Sequence, residues 1–152
     1  MAIKSIFDAS SYEQIKKRIE NLQPNAVRLW GKLDAAQMLA HCCIPIEQAI
    51  GKVPFKDESN FLSKTLIRWV VLNKIKKGTF GKNLPTAKSF YVTDEHQFAI
   101  EKQRLLDNLI DFYAKGQYRH LMTHPGFGTF SKDQWGQLTH LHLDHHFSQF
   151  SA

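Results

Sequence analysis

Ser131-Lys132-Asp133-Gln134-Trp135-Gly136-Gln137-Leu138-Thr139-His140-Leu141-His142-Leu143-Asp144-His145-His146-Phe147-Ser148-Gln149-Phe150 is the last strongly helical stretch of the chain. Ser131, followed three residues later by Gln134, forms a capping box at its start. His142 and His146 are four residues apart, a spacing that stacks two imidazoles on one helix face. At about 100° per residue, Trp135, Leu138, His142, His146, Gln149 and Phe150 share that side, and His140 and Asp144 point the opposite way. A histidine pair in a largely apolar stripe has two readings: a hydrogen-bonded polar core, or a clamp for a divalent cation.

A third ligand has to come from another helix. His41 stands in Asp34-Ala35-Ala36-Gln37-Met38-Leu39-Ala40-His41-Cys42-Cys43, which opens on an aspartate at a good N-cap position. Its face carries Asp34, Gln37, Met38 and Ile44, again a mostly inward stripe with a polar centre. One histidine from this helix and a pair from the last make a set of three. Such a set leaves coordination positions open for water or substrate, as catalytic zinc or nickel sites do.

Two blocks of about twenty residues carry a family resemblance. The first is Trp30-Gly31-Lys32-Leu33 leading into the His41 helix. The second is His124-Pro125-Gly126-Phe127-Gly128-Thr129-Phe130-Ser131, followed by Gln134-Trp135-Gly136 and the run from His142 to Phe150. In these blocks the chain resembles the DinB/YfiT-like superfamily of metalloenzymes, in the branch with Trp-Gly-Lys-(Leu/Met) and His-Pro-x-Phe-Gly motifs. The resemblance implies an all-α fold, an antiparallel four-helix bundle with an additional short helix and long connections. It also implies a divalent metal held by His41, His142 and His146, the residues that the helical faces select.

Composition bounds the remaining readings. At 152 residues, 43% hydrophobic and 22% charged, residues 1–152 suit a single helical domain with a proper core. The first residues lack the long apolar segment of a signal peptide, and Leu66–Leu72, interrupted by Arg68, is too short to span a membrane. Cys42 and Cys43 are adjacent and cannot bridge each other without strain, so no disulfide framework is expected and a reducing cytoplasm is the simplest home. The net charge of +6 invites a nucleic-acid reading. The positives are spread over Lys16-Lys17-Arg18 and over Lys74, Lys76, Lys77 and Lys82, with no binding signature of defined spacing. Neither nucleic acid nor membrane is therefore expected as a partner.

The pattern along the chain predicts five helical segments. A first helix is capped by Ser10 or Ser11 and runs to about Leu22, with Tyr12, Ile15, Ile19 and Leu22 inward. A second runs from Asp34 to about Ile50, with Pro45 removing the donor to the His41 carbonyl and kinking it. A third covers Phe61–Lys74, with Leu62, Leu66, Trp69, Val70 and Asn73 at helical spacing. Gly78–Ser89 is a long loop and Phe90-Tyr91-Val92 is extended. A fourth helix, capped by Thr93 or Asp94, runs to about Lys115 and stops at Gly116, and the ligand helix is the fifth.

Other histidines and both cysteines take structural roles. His145 lies about 60° or more off the ligand face and flanks it. His124 is a turn residue holding its loop by a side-chain hydrogen bond, and His96 and His120 face solvent. Cys42 and Cys43 rotate away from His41 and act as small hydrophobes.

A three-histidine cation with open positions lowers the pKa of bound water or binds a thiol as thiolate. The resemblance implies one of these uses: an S-transferase-like or hydrolase-like reaction on a small electrophilic substrate, with a low-molecular-weight thiol as one candidate partner. Leu143 after His142 removes the glutamate base of an HExxH protease. Asp34, Gln37 and Gln149 are pocket candidates. The alternative is a non-enzymatic helical module, its histidines a polar core or a structural metal clip, supporting a homodimer.

Overall fold

The computed structural model describes residues 2–54, 56–82, 88–118 and 121–151, and among them the fold is all-helical. Helix α1 spans Ala9–Asn21, α2 Ala35–Ala49, α3 Arg68–Lys77, α4 Phe98–Tyr118 and α5 Lys132–Ser148. Two helices start on reciprocal capping boxes. Asp34 accepts from the Gln37 N–H while Gln37 accepts from the Asp34 N–H, and Ser131 and Gln134 repeat the arrangement at α5. The β pairing among the described residues is an isolated bridge between His124 and Gly128.

One hydrophobic core draws on four helices. Ile15 and Ile19 from α1, Met38, Leu39 and Ile46 from α2, Leu105, Leu109 and Phe112 from α4, and Trp135, Leu143 and Phe147 from α5 are almost fully buried. Contacts run α1–α4, α4–α2, α2–α5 and α5–α1, closing a ring, and α3 packs against α5 outside it. A partly buried ion-pair cluster ties α2 to α4: Arg104 donates to both carboxylate oxygens of Glu47 at 2.7 Å, and Asn108 donates to Glu47 at 2.8 Å. Arg104 and Asn108 hold the Glu47 carboxyl below its ordinary pKa against the opposing effect of burial.

Several boundaries differ from those the sequence predicts. Helix α1 begins at Ala9 with Asp8 as N-cap, whereas α2 spans Ala35–Ala49 with Pro45 inside it, as the expected run from Asp34 to about Ile50 requires. Helix α4 starts at Phe98, four residues or more after the expected caps, and runs through Gly116 to Tyr118. Gly116 therefore does not terminate a helix. It makes room: a Cβ there would lie 2.0 Å from the Phe7 ring, which stacks on Phe112 with centroids 5.2 Å apart. Phe90, expected to be extended, closes a 3-10 turn over Lys88–Phe90. His96 precedes α4 and pairs with Glu101 at 2.9 Å instead of facing solvent. His120 lies outside the described residues.

The third helix shows the largest difference. Its segment is helical, but a π-turn over Ser63–Ile67 precedes α3, which ends at Lys77. The Thr65 hydroxyl donates to the Phe61 carbonyl at 2.7 Å, a local competitor for helical bonding. The stripe of Leu62, Leu66, Trp69 and Val70 faces solvent, and within α3 the buried residue is Ile75.

Candidate metal centre

Helix α2 brings His41 and helix α5 brings His142 and His146 to one place, where a ligand atom from each lies within 4.8 Å of the other two. His41 is buried, 5% exposed, and the pair on α5 is half-buried. The His41 and His142 Nε2 atoms are 3.1 Å apart, and the His41 and His146 ring centroids are separated by 4.6 Å.

Two of the rings are held in a defined orientation. His41 Nδ1 lies 2.8 Å from the Phe90 carbonyl oxygen, which can only accept, so His41 carries its proton on Nδ1 and offers the Nε2 lone pair to the centre. His146 Nδ1 donates to Gln149 Oε1 at 2.7 Å, with the same consequence for its Nε2. Gln149 is itself buried and tied down: its backbone carbonyl accepts from the Leu29 N–H at 2.7 Å. Its amide nitrogen lies 2.6 Å from where a Cβ of Gly31 would stand. Gly31, at φ +90°, is the residue that both the backbone conformation and this close approach require. The Trp30-Gly31 motif thus closes over the outer partner of a candidate ligand.

Electrostatics keeps the three rings neutral. Burial lowers the pKa of His41 and of His142, the latter well below 6.5, with His146 and His41 adding to the effect on His142. His146 is pushed down to about 3, first by burial and then by His41. Neutral imidazole is the form that ligates a metal. A tetrahedral zinc site with Zn–N near 2.0–2.1 Å places its nitrogens about 3.4 Å apart. The 3.1 Å contact is close to that spacing, so the donor set fits a divalent cation.

The neighbouring residues divide as follows. His145 stays outside the triad, edge-on to Trp30 and Phe80 at 4.9 and 5.7 Å between centroids, so it flanks the site as the helical phase predicts. His140 does not face outward. It is buried because α1 covers that side of α5, with Arg18 pairing to Asp144 at 2.6 Å and lying over Phe147. His124 Nδ1 accepts from the Gly126 and Phe127 N–H groups at 3.0 and 3.1 Å, holding the turn as expected. Asp34 and Gln37 are engaged in capping, and Gln37 also donates to the Asp94 carbonyl. Cys42 and Cys43 are fully buried, and burial raises both thiols, Cys43 to about 12, which suits small hydrophobes.

Sequence reading missed the Phe90 carbonyl and the Trp30 and Phe80 rings. A backbone acceptor 49 positions from His41 leaves no trace in residue type. Trp30 could have been found, since it stands in the motif.

Residues 4–152 match the family described as "Protein of unknown function (DUF1569)". The chain belongs to this family. No curated protein and no solved structure matches it.

Proposed function

We propose that this chain is a divalent-metal-dependent enzyme of S-transferase-like or hydrolase-like type, acting on a small electrophilic substrate. The observation that carries the reading is the convergence of three neutral imidazoles from two helices, two with Nδ1 bonded to fixed acceptors. His41, His142 and His146 would hold the ion, with zinc or nickel as the metal. Bound there with positions left open, the ion would act as a Lewis acid and lower the pKa of a water or thiol. Phe90 and Gln149 orient two ligands, and the packed core behind the centre excludes bulk water from one side. We further read the ring of α1, α4, α2 and α5 as the four-helix bundle of the DinB/YfiT kind, with α3 as the additional helix; the closed cycle of contacts supports this.

The rival reading is a polar core, and the 3.1 Å His41–His142 hydrogen bond favours it, since neutral imidazoles can satisfy each other without an ion. Metal analysis of protein purified without an affinity tag separates the two. The enzyme reading expects about one zinc or nickel per chain, lost in His142→Ala and retained in His140→Ala. Titration with low-molecular-weight thiols and a hydrolase panel then reads the chemistry. Metal-free protein whose melting temperature does not respond to added zinc or nickel would establish the polar core instead.

A further inference from the structure

The helical segment from Phe61 to Lys77 leaves its apolar stripe bare. Phe61 is 85% exposed and Trp69 64%, and Leu62, Leu66 and Val70 are exposed beside them. These residues follow the helical spacing of a buried face, yet among the described residues they stay exposed. A shallow groove of about 280 Å³ runs between Trp69, Val70, Asn73, Lys74 and Lys77. The inner side of the segment is anchored: Arg68 donates to the Phe127 carbonyl at 2.8 Å and lies over the Phe130 ring, and Ile75 is buried. The bare stripe is therefore the outer face of a fixed helix.

Charge indicates what covers it. Between Ser59 and Thr93 the sequence has six lysines and one arginine and no aspartate or glutamate. In sequence the flanking acids are Asp57 and Glu58 at one end and Asp94 and Glu95 at the other. Asp57 pairs with Lys64 at 3.7 Å, and Glu58 accepts from the Ser89 hydroxyl at 2.5 Å. A second copy of this face would bring lysines against lysines with few carboxylates to answer them. A helix with Trp, Phe and Leu on one face and lysines around it is the composition of an interfacial amphipathic helix. We propose that the outer face of residues 61–77 docks on an anionic phospholipid surface, its apolar side chains entering the headgroup boundary and Lys74, Lys76 and Lys77 meeting lipid phosphates. No helix among the described residues is long and apolar enough to cross a membrane, and this mode needs none. It revises the expectation of no membrane partner, which rested on the lack of a span.

The test is flotation of the full chain with vesicles of phosphatidylcholine alone and of phosphatidylcholine with phosphatidylglycerol. Binding is expected only to the anionic vesicles, weakened by salt, with a blue shift of tryptophan emission that Trp69→Phe removes. Leu66→Ser with Trp69→Ser should abolish it. Neutralising Lys74, Lys76 and Lys77 to Gln should weaken it about a hundredfold, at about fivefold per lysine. These side chains lie on the outer face, and unchanged helical circular dichroism checks that each variant folds. Three results would overturn the proposal: no binding to anionic vesicles; a dimer in sedimentation that the Leu66 and Trp69 changes dissolve, which assigns the face to a second copy; or duplex DNA binding that survives those changes in place of vesicle binding.

Discussion

Gln149→Leu separates a metal site from a polar core without touching a proposed ligand. The substitution keeps side-chain bulk in a buried position and removes the 2.7 Å acceptor of His146 Nδ1. The backbone bond from Leu29 to the Gln149 carbonyl is retained. Loss of the acceptor frees His146 to adopt either neutral tautomer and to rotate. Removing such an outer partner typically weakens metal affinity about 10–100-fold, or about 1.4–2.8 kcal/mol. Metal-free stability should fall by about 1 kcal/mol, the usual worth of one hydrogen bond. Gly31→Ala reaches the same point from the other side, because its Cβ would stand 2.6 Å from the Gln149 amide nitrogen and push it off His146. Competition with a chromogenic chelator gives the zinc affinity of both variants, and urea unfolding gives their stability. Wild-type zinc affinity in Gln149→Leu would refute the claim that this contact orients a ligand.

Three further outcomes follow from the packing. His124 is held down to about 4 by burial and then by Arg68, so between pH 6.5 and about 4 the unfolded chain binds a proton that the folded chain does not. Stability should therefore be intact above pH 6.5 and fall by about 3 kcal/mol as pH drops through that window, and urea titrations of His124→Phe should lack this component. Arg104→Met strands the buried Glu47 carboxylate; because the Arg104 side chain is 36% exposed, the expected cost is about 2–3 kcal/mol, below the ~3–5 of a fully buried pair, read by thermal melts. Gly116→Ala drives a methyl group into the Phe7 ring and should cost about 1–3 kcal/mol, relieved by Phe7→Leu in a double-mutant cycle.

The sequence by itself determined the local features. The capping boxes at Asp34 and Ser131, the core stripe of α1 and the four-residue spacing of His142 and His146 depend on neighbours within one or two turns, and all were legible. The i,i+4 spacing and the motif resemblance also selected His41, His142 and His146 as a set, and the structure brings them together. Tertiary structure decided what needs a second element to define it. Periodicity reports that a helix has an apolar face but not whether anything covers it: the α3 stripe, at regular helical spacing, is exposed, while His140 looked outward and is covered by α1. Gly116 reads as a stop signal in sequence because glycine favours helix ends, yet close packing of Phe7 is what requires it. The tautomers of His41 and His146 depend on a carbonyl at Phe90 and an amide at Gln149. The first contact spans 49 positions, and only the folded chain supplies it.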